Sequence, residues 1–155
     1  MAWTSPDNAQ FSDDVYATAM TIAQDTQRLN VSGFNFQIPP ANQIDGITVE
    51  VEGKVLAATA TVYVRIIKGG VVSSTRTAGT FSATEGFVVY GGATDLLGET
   101  WTPADINASN FGVSVRVEDA LTNTFSVDFV RVTVACSVPF GGEDDGVWYM
   151  TVIGM

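Results

Sequence analysis

Carboxylates are the most numerous side chains here that could do chemistry: the 155 residues hold 17 Asp and Glu against 7 Lys and Arg, with no His and one Cys. Glu50 and Glu52 stand two apart, which puts both on one face of a strand. A glycoside hydrolase needs two carboxyl groups held about 5 or about 9 Å apart, and this pair is the one enzymatic arrangement the spacing suggests. Alternating Glu beside Val49 and Val51 is equally the pattern of a strand with one wet face, and that reading is preferred. The lack of His removes the commonest general base, the Ser-His-Asp and Cys-His arrangements and the ordinary zinc triads. Cys136 lies in the apolar run from Val130 to Val138, where a lone thiol packs as a small hydrophobe. No catalytic residue and no enzyme are expected.

Oxygen ligands for a hard cation are grouped at Asp13-Asp14, Asp95 with Glu99, Asp105 with Asn107, and Glu143-Asp144-Asp145. None has EF-hand spacing, and acidic loops are ordinarily solvated turns. No metal or other cofactor is therefore expected; if calcium is held, Asp95 and Asp105 are the first candidates. Gly91-Gly92 and Gly98 lack the spacing and the Lys of a phosphate loop, so they are read as turns with positive φ. Trp3, Tyr63, Tyr90, Trp101 and Trp148 could stack on sugar rings, but strand parity turns only Tyr63 outward.

The elements that must position these groups are strands. Val, Ile and Thr make up 47 of the 155 residues, a mixture that favours pleated structure over helix. Strands are read at Val15 to Ala23, Leu29 to Val31, Phe34 to Ile38, Ile44 to Glu52, Thr59 to Lys68, Val71 to Thr75, Phe87 to Tyr90, Phe111 to Glu118, Phe125 to Ser137 and Val147 to Ile153. Gly69-Gly70 is the strongest hairpin signal, and residues 76 to 86 are a loop or weak edge strand. A parity slip between Val127 and Val130 calls for a bulge near Asp128 or Phe129. Thr102, followed by Pro103 and Asp105, reads as the cap of a single helical turn. The expectation is an all-β, antiparallel, jelly-roll-like sandwich of about ten strands with at most one short helical turn. Residues 1–137 form its domain, with an N-terminal arm at 1–14, and 138–155 form a C-terminal extension ending in a strand.

The net charge of −10 disfavours nucleic acid and anionic membranes as partners. Lys54, Arg65, Lys68, Arg76, Arg116 and Arg131 are scattered among acids, and no basic stripe is legible. The first residues lack the basic and apolar segments of a signal peptide, and nothing approaches 18 consecutive apolar residues.

An ordered series of short motifs resembles a module of phage and prophage structural proteins. It comprises Trp3-Thr-Ser-Pro-Asp-Asn-Ala9, Asp13-Asp14-Val-Tyr-Ala17, Phe34-Asn-Phe-Gln-Ile-Pro39 and Ile44-Asp-Gly-Ile-Thr-Val49. It continues with Tyr90-Gly-Gly-Ala-Thr-Asp-Leu-Leu-Gly98, Trp101-Thr-Pro-Ala-Asp-Ile-Asn107 and Val127-Asp-Phe-Val-Arg-Val-Thr-Val134. The likeness spans residues 3 to 134, with Leu97 standing where the family pattern has Trp. It implies a β-sandwich virion protein, most concretely a capsid decoration or cement subunit made in the host cytoplasm. That subunit would be a homotrimer on the capsid exterior, bound to the major capsid protein lattice. Trp3, Phe11, Phe140, Trp148, Tyr149 and Ile153 would then make partner contacts. The alternative is a receptor- or glycan-binding module of a tail or fibre, which would expose Tyr63, Tyr90 or Trp101 around a shallow cleft.

Overall fold

The computed structural model describes residues 1–22, 25–118 and 122–138, and the backbone of 147–152. A 3₁₀ turn at Pro6–Ala9 precedes strands β1 (Ala17–Ile22), β2 (Leu29–Ser32), β3 (Gln43–Val55), β4 (Thr59–Lys68), β5 (Val71–Val72), β6 (Thr77–Ser82) and β7 (Gly86–Gly92). One helical turn, α1 (Pro103–Asn107), leads into β8 (Gly112–Glu118), β9 (Thr122–Ser137) and β10 (Val147–Val152). Two five-stranded antiparallel sheets result. The first runs β1-β9-β3-β7 with β10 also on β9, and the second runs β2-β8-β4-β5 with β6 also on β4. The all-β sandwich read from the pattern is the fold found.

The period of two decides what is buried. Val49 and Val51 on β3, Val62 and Val64 on β4, and Val113 and Val115 on β8 are at most 2% exposed. Each such side chain contributes about 1.5–3 kcal/mol relative to an exposed position, an upper bound because the unfolded chain already hides some surface. Cys136 is buried in the same core, with the Asn42 amide 3.5 Å from its sulfur.

Local signals account for the joints. Gly69 and Gly70 take φ of 57° and 81°, the doubly positive pair of a tight hairpin between β4 and β5. On β9 the register passes from Glu52↔Phe129 to Gly53↔Val127, so Asp128 is the bulged residue. The weak stretch after Arg76 does form a strand, β6, paired along β4.

The segment from Phe34 to Ile38 departs from expectation. Phe34, Phe36 and Ile38 are buried alternately, but the segment joins no ladder. Its backbone is instead held by the Asn107 carboxamide, which accepts from Ile38 N and donates to Ile38 O, both at 2.8 Å. Three rings pack it down: Phe34 and Phe36 approach Phe111 with centroids 6.0 and 5.9 Å away. Alternation here reports a covered surface and not a sheet.

At α1 the Thr102 hydroxyl accepts from Asp105 N at 3.2 Å, while Asp105 Oδ2 accepts from Thr102 N at 2.9 Å. Both halves of a capping box are thus present. Thr102→Ala is expected to lower unfolding free energy by about 1 kcal/mol, read as a shift in urea midpoint with unchanged slope.

Candidate functional site

Tyr63 is the residue around which an outward-facing polar cluster assembles. Its neighbours Val62 and Val64 point into the core, so Tyr63 points out of the second sheet, half-buried. Register places Arg116 of β8 directly opposite it on one side and Ala78 of β6 on the other. Two residues along β4, Arg65 lies opposite Ser114, which lies opposite Asn30 of β2. The guanidinium of Arg76, just before β6, sits 4.0 Å from the centre of the Tyr63 ring and is tied to Glu118 at 2.8 Å.

Arg28 completes the group from the segment that leads into β2. Burial lowers its pKa below the ordinary arginine value, and the nearby charges of Arg65 and Arg116 lower it further. Four of the chain's 7 cationic residues thus gather on one sheet face, against the carboxylates of Asp25, which pairs with Arg116, and Glu118. Arg28 and Arg65 are in no ion pair among the described residues; Arg65 donates to the carbonyls of Ser73 and Ser74 at 2.8 and 2.5 Å. Arg116 Nε and Ser114 Oγ are buried here without a hydrogen-bond partner. Beside this face, at the β2 edge, an open groove is lined by Pro6, Asp7, Gln10, Asn30, Val31 and Ser32, so Asn30 belongs to both.

Guanidinium forks match the planar oxygen pairs of carboxylates and sulfates, and Tyr63 adds a ring and a hydroxyl. The face can therefore take an anionic ligand that carries flat or hydroxylated surface. The outward parity of Tyr63, Arg65 and Arg116 was readable. Their convergence with Arg28 and Arg76 was not, because five positions on four segments meet only through strand order. The expectation of no basic stripe is corrected accordingly.

Tyr90 and Trp101 are engaged within the fold. Tyr90 is 1% exposed and its hydroxyl donates to Val62 O at 3.4 Å; burial pushes that hydroxyl well above its ordinary pKa. Trp101 stands edge-on to Phe111, with centroids 5.5 Å apart, and its indole N–H donates to Leu96 O at 3.0 Å. Of the expected sugar-stacking residues, Tyr63 alone heads an outward cluster among the described residues.

Trp3, expected at a partner, is folded onto its own chain: it packs against the core and donates to Gln27 O at 2.8 Å. Phe11 is 55% exposed. Trp148 and Tyr149 lie on β10, paired with Cys136 and Ala135 of the same chain's β9, whereas Phe140 and Ile153 fall outside the described residues.

Glu50 is held by Arg131 through two hydrogen bonds of 2.6 Å, and Glu52 accepts from Ser12 at 2.7 Å. Both carboxylates are engaged as structural partners. Asp95 accepts from Leu97 N at 2.8 Å within its own turn. Asp105 caps α1 and meets Lys68 at 3.4 Å; burial raises its pKa, and Thr102 and Lys68 outweigh that and hold it below the usual value. Asp95 and Asp105 are not among the acids that converge: among the described residues, the group that does is Asp14, Glu85 and Asp128.

No family model matches the chain, and no curated protein matches it either. A solved structure described as "CBM4 structure and function" aligns over 79% of this chain and 85% of its own, with 13% identity and a TM-score of 0.49. The virion, capsid and bacteriophage assignment implied by the motif series is corrected here: the solved structure that aligns carries a carbohydrate-binding-module description and no virion or capsid one. The antiparallel sandwich stands, and the capsid decoration reading does not.

Proposed function

We propose that the chain is a non-catalytic carbohydrate-binding module that takes an acidic glycan on the outer face of its second sheet. The observation that carries this is the cluster of Arg28, Arg65, Arg76 and Arg116 around outward-facing Tyr63 in a chain of net charge −10. Glu118 and Asp25 pair with Arg76 and Arg116, and Glu118 also acts on Arg28, so four guanidinium groups meet two carboxylates on this face and the excess positive charge is what an anionic ligand would offset. A uronic or sialic acid unit has the matching chemistry: a carboxylate for the forks, hydroxyls for Asn30 and Tyr63, and a ring face for the aromatic surface.

Isothermal titration calorimetry with uronate-containing and neutral oligosaccharides of equal length tests it. Binding of the acidic series alone, weakening as salt rises, is the expected result. Arg28→Ala and Tyr63→Ala, each with unchanged circular dichroism, should each weaken it by roughly tenfold or more, the worth of one charge-assisted contact. Equal affinity for the neutral series, or variants that bind like the parent, would overturn the proposal.

A further inference from the structure

On the opposite sheet three acids from remote parts of the chain come together. Asp14 ends the N-terminal arm at φ 63°, Glu85 lies in the β6–β7 turn, and Asp128 is the bulged residue of β9. One carboxylate oxygen from each lies within 4.8 Å of the others. Oxygens bound to one calcium ion at 2.3–2.6 Å can be separated by up to about 5 Å, so this spread suits one coordination shell.

Hydrogen bonding leaves two buried carboxylate oxygens without a partner, one on Asp128 and one on Glu85, while Asp14 Oδ1 accepts from the Tyr16 hydroxyl at 3.2 Å. Asp128 is 2% exposed; its Oδ2 accepts from Asp14 N at 3.3 Å, while its Oδ1 is buried with no partner. Glu85 Oε1 is likewise buried without a partner. The opposite oxygen, Glu85 Oε2, is already served by the Tyr16 hydroxyl at 2.7 Å and by Lys54 Nζ at 3.0 Å. Lys54 also donates to Tyr16 at 2.8 Å. Glu52 adds a further negative charge near Asp128. Among the described residues Lys54 is the one cation bonded to any of these carboxylates, and it is bonded to Glu85 alone. A buried, unpaired carboxylate oxygen is expensive unless a cation or a proton meets it.

We propose that Asp14, Glu85 and Asp128 bind one calcium ion, which fastens the N-terminal arm and the β6–β7 turn to the bulge of β9. The donor set is all oxygen, which suits calcium, whereas zinc sites draw mainly on imidazole and thiolate. Magnesium requires near-ideal octahedral geometry and usually keeps several waters, whereas calcium takes about six to eight oxygens in flexible geometry, so three carboxylates from separate segments suit calcium better. The arm is already close to this point, since Gln10 pairs with Phe129 beside the bulge. The bulge gives Asp128 its place: with no residue opposite it on β3, its side chain is free to turn toward the arm.

The site lies on the first sheet and does not depend on the arginine face. Protein stripped with a chelator is titrated with calcium chloride by calorimetry, and thermal unfolding is followed in parallel. One ion per chain is expected, with a midpoint higher by roughly 5–10 °C when calcium is a hundredfold above its dissociation constant. Asp128→Asn and Glu85→Gln should each weaken calcium binding at least tenfold and reduce the shift, while Asp95→Asn keeps both. Glu85→Gln, in a turn, supplies the answer if Asp128→Asn fails to fold. No heat and no shift at 10 mM calcium (about the weakest extracellular affinity times ten), an equal response to magnesium, or a shift retained in Glu85→Gln would overturn the assignment.

Discussion

Phe111→Ala should unfold about 3–5 kcal/mol more easily than the parent, a large share of the stability of a domain this size. Phe111 is 1% exposed and is the hub of a four-ring cluster: Phe34, Phe36 and Trp101 all approach it within 6.0 Å between centroids. Truncation removes the ring's transfer free energy and leaves a cavity that neighbouring strands, fixed by their ladders, can only partly close. The loss should be uneven across the molecule. Residues 34–38 have no ladder to fall back on, so the Asn107 carboxamide would be left holding them with little packing beneath. Urea denaturation gives the total, and amide exchange should accelerate in residues 34–38 more than in β3. Phe87→Ala, at a ring 43% exposed on the outside of β7, is the comparison and should cost under about 1 kcal/mol. If the two variants were equally stable, the packing role assigned to Phe111 would be wrong.

This cluster also marks where sequence reading stops. Phe34, Phe36 and Ile38 alternate as cleanly as Ile47, Val49 and Val51, yet only the second set is in a sheet. Period two reports which side is covered, and the partner that decides between ladder and loop lies 69 residues away at Asn107. The bulge at Asp128 was legible because a slip in parity leaves its trace within one strand. The acids that meet there were not, because Asp14 and Glu85 reach Asp128 only through the docking of the arm and the β6–β7 turn. Asp95 and Asp105, which looked more like ligands in sequence, were already committed to a turn and a cap within three residues of themselves.

The same logic separates the two outer faces. On the first sheet Arg131 is matched to Glu50 by direct cross-strand pairing, and such a pair is closed to a ligand. On the second sheet Arg116 is set against Tyr63, and Arg65 against Ser114, so no carboxylate stands directly opposite either; Glu118, opposite Thr61, and Asp25 pair with Arg76 and Arg116 and leave Arg28 and Arg65 in no ion pair among the described residues. The excess of guanidinium there follows from strand order. The rest of the acidic chain repels an anion at long range, so attraction should act over short distances and be sensitive to salt.

Gly46→Ala should be the most damaging of the small-residue changes, costing about 3 kcal/mol or more, because it sets backbone against backbone. A Cβ at Gly46 would lie 2.3 Å from Ala93 C and Gly92 O and 2.5 Å from Ala93 O. Both obstacles are main chain, so no rotamer change can relieve the contact. The crossing is tight from the other side as well: Gly91 has φ of 73°, and a Cβ there would come within 2.2 Å of Ile47 O. Glycines at 46 and 91 thus let the end of β7 lie across the start of β3, where Ile47 N donates to Asp95 O at 2.8 Å. To fit a methyl group, the Gly92–Asp95 turn must move away, which breaks that bond and opens the seam beside Leu97. The expected result is a lower urea midpoint with reduced soluble yield. Gly86→Ala is the control, since nothing lies within 4 Å of a Cβ there and its φ is not in the left-handed region; it should stay within about 0.5 kcal/mol of the parent or gain slightly from a less flexible unfolded chain. Equal midpoints for the two alanine variants would mean that the strands can separate at Gly46 at little cost, and the close crossing would then not constrain this end of the sandwich.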